Sequence, residues 1–89
     1  MKHISITVTG KVQGVYFRAF TEKEAQRLNL TGFVRNEPNG DVYIEAEGEE
    51  TNLNQFISWC QTGSPKAVVK DIKVTEGNMK GFSHFAINR

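Results

Sequence analysis

The residues of this chain best suited to chemistry form one segment, Gly10-Lys11-Val12-Gln13-Gly14-Val15-Tyr16-Phe17-Arg18, which we call the glycine loop. An alternating apolar run precedes it and a helical pattern follows, so we expect a strand-to-helix connection. Glycines let backbone N–H groups turn inward, and Arg18 stands where the helix begins. Convergent N–H groups, a helix N-terminus and a guanidinium together favour binding of a tetrahedral oxyanion. The loop contains no Cys, Ser or Asp, so the pattern indicates phosphate chemistry without a covalent nucleophile.

The elements on either side must position the glycine loop. Ile4, Ile6 and Val8 alternate with polar residues, which predicts a half-buried strand before the loop. Residues 18–29 have a helical period and predict an amphipathic helix after it. The apolar side of that helix consists of Phe17, Phe20, Thr21, Ala25 and Leu28.

The middle of the chain has the pattern of a β-hairpin. Residues 32–36 predict a short strand, and the Asn39-Gly40 pair predicts a tight turn. Val42, Ile44 and Ala46 then alternate with more polar residues, as expected of the second arm.

A second helix and a further strand follow the hairpin. We expect Thr51 to cap this helix, because a threonine hydroxyl accepts a bond from a free N–H group of the first turn. The apolar stripe of the helix is Leu53, Phe56, Ile57 and Cys60. The alternation of Val68, Ile72 and Val74 predicts a fourth strand, and the apolar segment 82–87 is suited to a short fifth.

The resulting order is β-α-β-β-α-β, with an optional short strand at the end. Each helix lies between two strands, so each half of the chain is a crossover unit. We therefore predict an α/β (α+β) sandwich of two layers, with an antiparallel sheet and both helices on one face. We expect residues 1–89 to form one domain.

Composition excludes several classes of function. A net charge of +1 gives no overall basic field for nucleic acid or anionic lipid, and no apolar stretch is long enough to span a membrane. The N-terminus alternates like a strand and lacks a signal-peptide core, so a cytoplasmic location is the default. Cys60 is the only cysteine and has no internal disulfide partner. His3 and His84 are far apart, and no cluster has metal-ligand spacing, so we predict no metal site.

Two segments together resemble the signatures of the acylphosphatase family. The first is the glycine loop, and the second is Gly32-Phe33-Val34-Arg35-Asn36, followed by Gly40-Asp41-Val42 and Gly48. The resemblance extends over essentially the whole chain. It implies a ferredoxin-like fold and a hydrolase of acyl phosphates that uses neither a metal nor another cofactor.

The catalytic pair that the resemblance implies is Arg18 and Asn36. The chemistry agrees, because a carboxylate leaving group needs no general acid and the enzyme has mainly to hold the phosphoryl oxygens and place a water in line. Arg18 offers a permanently charged fork, and the Asn36 amide can both aim a water and donate to the phosphoryl group. The backbone N–H groups expected to bind the remaining oxygens are those of Val12, Gln13, Gly14, Val15, Tyr16 and Phe17.

Each of these residues also has an ordinary structural interpretation. Alone, Arg18 is typical of a solvated helix start and Asn36 of a turn; within the two motifs we favour catalysis. Lys11 and Arg35 are expected to be solvated, and Gln13 to tie the loop backbone together rather than contact substrate. Two departures from the family pattern lie outside the motifs. Gly63-Ser64-Pro65 replaces a Gly-Pro-Pro, and the chain ends in Asn88-Arg89 instead of an aromatic residue.

Three other functions share this fold or anion site. An RNA-recognition domain would need basic and aromatic residues on its central strands, whereas the hairpin offers Glu45 and Glu47. A domain within a larger maturation protein and a phosphate sensor are the remaining alternatives; retention of Asn36 beside Arg18 argues against a sensor. We expect the partners to be a small-molecule acyl phosphate and phosphate, with no nucleic acid and no membrane, and we expect a monomer.

Overall fold

The computed structural model describes residues 1–88. Its elements are β1 (Lys2–Lys11), α1 (Phe17–Arg27), β2 (Thr31–Asn36), β3 (Val42–Gly48), α2 (Glu50–Cys60), β4 (Val68–Gly77) and β5 (Phe85–Ile87). The order and the optional last strand agree with the prediction. Arg89, part of the departure from the family pattern at the end of the chain, lies outside the described residues.

The five strands form one sheet in the order β4-β1-β3-β2-β5. The pairs β1–β3, β1–β4 and β2–β3 are antiparallel, and this four-stranded part confirms the predicted antiparallel sheet. The short strand β5 adds to the edge of the sheet parallel to β2, with Val34 beside Ile87. The ferredoxin-like arrangement of two layers is confirmed, with the parallel strand as an addition.

The core lies between one face of the sheet and the two helices. The alternating residues of β1 and β3 that face it include Ile6, Val8 and Ile44, all fully buried. Phe17, Ala25 and Leu28 of the first helical segment join the same cluster, as do Leu53, Phe56 and Cys60 of α2. The prediction that Phe20 belongs to the apolar side of α1 was wrong. Its side chain lies at the margin of that side and is 38% exposed. Burial raises the pKa of the Cys60 thiol, so we assign this cysteine to packing.

Two local predictions differ from the structure. Helix α2 begins at Glu50 after Glu49, so Thr51 lies inside its first turn and is not the cap. In β4, Val69 and Ile72 pack against the core while Val68 is 64% exposed. A register shift opposite Thr9 and Gly10 leaves Lys70 unpaired and moves the alternation by one residue.

The other face of the sheet carries a buried polar cluster, which we call the carboxylate cluster: His3, Glu45 and Glu47. His3 Nδ1 lies 2.7 Å from Glu47 Oε2, and His3 Nε2 lies 3.4 Å from Glu45 Oε1. The segment 80–82 covers the cluster, because the backbone N–H groups of residues 80, 81 and 82 all donate to the Glu47 carboxylate. Sequence periodicity placed Glu45 and Glu47 on the polar side of the hairpin arm, and both are buried beneath the covering segment.

Candidate active site

The two predicted motifs meet where β1 and β2 end, at one end of the strands of the sheet. Strands β1 and β2 both flank β3, and Val8 of β1 and Asn36 of β2 pair with the same residue, Val42. Neighbouring strands are about 4.8 Å apart, so Val8 and Asn36 are separated by only about 10 Å across the sheet. The glycine loop leaves β1 just beyond Val8. Topology therefore brings the loop beside Asn36, although 18 positions separate Asn36 from Arg18 in sequence.

The backbone of the glycine loop turns sharply before α1. Gly14 has a φ of 73° and Tyr16, which precedes the first helical residue, has a φ of 61°. The left-handed region is open to glycine and strained for tyrosine. Backbone turns of this kind direct N–H groups toward a common side. The first turn of α1 carries no acidic side chain, so nothing in it neutralises the positive end of the helix dipole.

The glycine loop and Asn36 border an open cleft of about 830 Å³. The residues that line the cleft are Val12, Gly14, Tyr16, Phe17, Arg18, Ala19, Asn36 and Ile87. Both residues of the predicted catalytic pair are therefore in it, together with four of the six predicted backbone-binding residues. Tyr16 is 74% exposed and borders the entrance. Phe17 is buried and combines a core role with a place in the wall.

The side chains of Arg18 and Asn36 have polar groups without close hydrogen-bond partners among residues 1–88. Arg18 has no ion pair within residues 1–88, and its guanidinium makes only a long contact, 3.5 Å, to the carbonyl oxygen of Asn88. The side-chain amide of Asn36 has no hydrogen-bond partner in the same range. No carboxylate, histidine, cysteine, serine or threonine lines the cleft, so within the described residues Arg18 is its one charged group.

The side chains of Gln13 and Val15 in the glycine loop do not line the cleft. The Gln13 side-chain amide donates to the carbonyl oxygens of Glu37, at 2.8 Å, and Asp41, at 2.9 Å. These two residues flank the β2–β3 turn, so Gln13 joins the glycine loop to the hairpin that carries Asn36. The prediction that Gln13 ties the backbone of its own loop differs from this arrangement, because both hydrogen bonds run to the hairpin. The side chain of Val15 is buried in the core.

The remaining candidates from the sequence lie outside the cleft. Arg35 pairs with Glu37 at 3.1 Å and stacks over the Tyr43 ring at 4.9 Å. Lys11 is exposed and does not line the cleft. His84 is exposed, whereas His3 belongs to the carboxylate cluster. Across residues 1–88 no three His, Cys, Asp or Glu side chains are grouped to hold a metal ion, and no helix is long and apolar enough to cross a membrane.

Two residues of the cleft were missed by the sequence analysis. Ala19 lies on the first turn of α1 beside Arg18, and Ile87 reaches the cleft from the parallel strand β5. The position of Ala19 follows from helix geometry once α1 is placed. The position of Ile87 follows from the pairing of β5 with β2, which no local pattern encodes.

Comparisons with known proteins agree with this geometry. A family model described as Acylphosphatase matches residues 4–87. An acylphosphatase of Bacillus licheniformis is 47% identical over 89 residues, covering 99% of each chain. The crystal structure of an acylphosphatase from Bacillus subtilis is 42% identical and superposes with a TM-score of 0.98 over 100% of both chains. Full-length HypF in a phosphate- and nucleotide-bound form also matches, with 35% identity and a TM-score of 0.89 over 99% of this chain and 12% of HypF.

Proposed function

This chain belongs to the acylphosphatase family and is a hydrolase of acyl phosphates, and from that premise we propose that Arg18 and Asn36 are its catalytic residues. The observation that carries the proposal is their position in one cleft with the glycine loop. Among residues 1–88 the Arg18 guanidinium has no ion pair and the Asn36 side-chain amide has no hydrogen-bond partner, so both are available to substrate. We further propose that backbone N–H groups of residues 12–17 bind phosphoryl oxygens.

The proposed reaction is a direct displacement at phosphorus. The oxygen of a water molecule forms a bond to phosphorus while the bond from phosphorus to the acyl oxygen breaks. The acyl group leaves as a carboxylate, which carries the electron pair of the broken bond. In a loose transition state the equatorial phosphoryl oxygens hold the charge, so fixed donors around them stabilise it. Arg18 suits this task because its planar fork donates two parallel hydrogen bonds.

Asn36 suits the placement of the attacking water. Its side-chain oxygen accepts a hydrogen bond from water, and its NH₂ group donates to the phosphoryl group, so one side chain can fix both reactants. An amide is not a base at neutral pH, and no carboxylate or histidine from residues 1–88 lines the cleft. We therefore propose that an oxygen of the substrate's own phosphate takes the proton of the water.

We propose that the reaction needs no metal and forms no phosphoenzyme. The side chains that hold catalytic metal ions in proteins are mainly carboxylate, histidine and cysteine, and within the part of the chain that the structure describes none of these lines the cleft. The described residues that line the cleft likewise include no serine, cysteine, histidine or aspartate, the residues that become phosphorylated in phosphoenzyme mechanisms.

Hydrolysis of benzoyl phosphate in the presence of EDTA tests the proposed residues. We expect Arg18→Ala and Asn36→Ala each to lower kcat about 10²- to 10³-fold, as for loss of an oriented donor. Arg27→Ala and Asn54→Ala are matched controls on exposed helix positions and are expected to retain wild-type rates. In ¹⁸O-labelled water the label should enter phosphate and not benzoate. Near wild-type kcat in folded Arg18→Ala or Asn36→Ala would refute that residue's assignment.

We also propose that residues 1–89 act as one monomeric, cytoplasmic domain. The single core cluster supports one domain, and one buried cysteine fits a reducing compartment. The match to 12% of HypF is the observation behind the alternative, a domain within a larger protein. Turnover by the isolated chain, eluting as a monomer in gel filtration, would show that residues 1–89 need no larger protein for activity, whereas a folded but inactive chain would support the alternative.

A further inference from the structure

Beneath the glycine loop lies a residue that the proposed mechanism does not use. Ser64 is 1% exposed, and its hydroxyl donates a 2.8 Å hydrogen bond to the carbonyl oxygen of Val15. The two residues are 49 positions apart in sequence. Val15 precedes α1, so its carbonyl lies before the hydrogen-bond ladder of that helix, and Ser64 supplies a partner from another part of the fold.

The end of α2 fixes the position of Ser64. The N–H of Gly63 donates to the carbonyl oxygen of Trp59 at 2.8 Å, and Gly63 has a φ of 71°. A Cβ atom at Gly63 would lie 2.3 Å from Cε2 of Phe17, so the backbone here packs directly against the first residue of α1. The Phe17 ring also packs on Trp59, with centroids 5.6 Å apart. The segment 63–64 is therefore a rigid support for the start of α1.

Peptide geometry transmits this support to the cleft. The carbonyl of Val15 and the N–H of Tyr16 belong to one planar trans peptide, in which the two groups point in opposite directions. Ser64 holds the carbonyl toward the protein interior. The N–H of Tyr16 is then directed away from the interior, on the side where Gly14, Tyr16 and Arg18 line the cleft.

We propose that Ser64 is a positioning residue for phosphate binding: its hydroxyl holds the Val15–Tyr16 peptide so that the N–H of Tyr16 donates to a phosphoryl oxygen. This inference rests on the proposed binding of phosphate by the glycine loop.

The test compares two buried hydroxyls that donate to carbonyl oxygens at the same distance. Thr21 Oγ1 donates to the carbonyl oxygen of Phe17 at 2.8 Å and is fully buried. The Phe17 carbonyl is in α1 and is also held by the helix, so Thr21→Val removes a hydroxyl without freeing a peptide. Ser64→Ala removes the hydroxyl and frees the Val15–Tyr16 peptide. Both variants lose stability, and only Ser64→Ala should affect the cleft.

The readouts are benzoyl phosphate kinetics, inhibition by inorganic phosphate, and the amide NMR spectrum during phosphate titration. For Ser64→Ala we expect the KM and the phosphate inhibition constant to rise together, about three- to tenfold, as for loss of one hydrogen bond. The kcat should change less, because ground state and transition state lose the same contact. The phosphate-induced shift of the Tyr16 amide should shrink in Ser64→Ala and persist in Thr21→Val.

Each outcome separates this inference from the function on which it rests. Equal inhibition constants and equal Tyr16 shifts in wild type, Ser64→Ala and Thr21→Val would overturn the role of Ser64 alone. Absence of phosphate-induced shifts at residues 12–17 in the wild type would overturn the binding role of the loop. If Ser64→Ala does not fold, Ser64→Cys, which keeps a weaker donor, should show an intermediate rise, and unchanged constants in that variant would refute the proposal.

Discussion

At the scale of single residues, the groups proposed to act in the cleft are all hydrogen-bond donors with fixed positions. A guanidinium, a primary amide and backbone N–H groups are fixed donors, and none needs to gain or lose a proton during turnover. Such a site depends on where its donors point, so backbone conformation matters as much as side-chain identity. The directions of the loop N–H groups depend most on Gly14 and Tyr16, whose backbones are both in the left-handed region.

A methyl group at Gly14 tests the importance of loop conformation. A Cβ atom there would meet no atom within 4 Å, so Gly14→Ala adds no clash and strains only the backbone, whose φ is 73°. We expect a loss of about 1–2 kcal/mol in stability, the cost of a left-handed L-residue, or a shift of the loop to relieve it. Either change misdirects N–H groups, so kcat/KM for benzoyl phosphate should fall at least tenfold.

Gly81→Ala is the matched control for that experiment. Gly81 has a φ of 76° and equally open space around its Cβ position, but it lies in the segment covering the carboxylate cluster and does not line the cleft. It should lose comparable stability and keep wild-type kinetics. Similar kinetic losses in both variants would show that general destabilisation, and not loop geometry, limits activity.

The candidate site could be predicted from sequence where its proposed functional residues belong to short, contiguous motifs. Arg18 and Asn36 each belong to a contiguous motif, and β-strand alternation placed Asn36 at a strand end. Ser64 and Ile87 were missed because their contacts join residues far apart in the chain, and nothing local marks a serine that bonds a distant carbonyl. The left-handed conformation of Tyr16 was missed for a related reason, because tyrosine has no preference for it.

At the scale of secondary-structure elements, the β1–α1 connection and the β2–β3 hairpin form one unit. Gln13 bridges them through two hydrogen bonds to carbonyl oxygens on either side of the hairpin turn. Because Asn36 directly precedes Glu37, this bridge joins the glycine loop, proposed to bind phosphate, to the residue proposed to hold the water. The order of elements was predictable from periodicity. The bulge that shifts β4 was not, since it depends on pairing with β1.

Substitution of Gln13 should separate these two elements. Gln13→Ala removes both hydrogen bonds, and we expect about 1 kcal/mol lower stability and a several-fold lower kcat. Gln13→Glu should be worse at neutral pH, because it places carboxylate oxygens against two carbonyl oxygens. Asn39→Ala, which removes side-chain bonds to Asp41 inside the hairpin turn, is the control. A kcat unchanged in Gln13→Ala while its melting temperature falls would limit Gln13 to a structural role.

At the scale of the whole molecule, the two faces of the sheet have separate tasks. The apolar core lies between one face and the helices. The cleft lies at the ends of β1 and β2, beside the start of α1. The radius of gyration is 11.6 Å, close to the value of about 12 Å expected for a compact domain of this length, which supports the proposal of one domain. The other face holds the carboxylate cluster, where two buried glutamates tie segment 80–82 to the sheet.

The carboxylate cluster should make global stability sensitive to acid. Burial by itself would raise the pKa of Glu47, but backbone N–H donors and the His3 ring outweigh it and lower the pKa below its ordinary value of 4.5. Burial likewise opposes the lowered pKa of Glu45, where bonds from Lys80 and Tyr43 prevail. A carboxylate with a lowered pKa stabilises the folded state above its unfolded pKa, and this contribution is lost as the pH falls through the folded pKa.

Urea unfolding from pH 7 to pH 2 measures this dependence. The wild-type free energy of unfolding should decline below about pH 4.5, and Glu47→Gln should be less stable at pH 7 by roughly 1–3 kcal/mol but decline less steeply. Glu50→Gln removes an exposed carboxylate paired with Lys2 and should follow the wild-type curve, because exposed ion pairs contribute little. Since the cluster lies on the opposite face of the sheet from the helices, Glu47→Gln should retain wild-type kcat at pH 7. A Glu47→Gln curve parallel to wild type would assign the acid sensitivity to other groups.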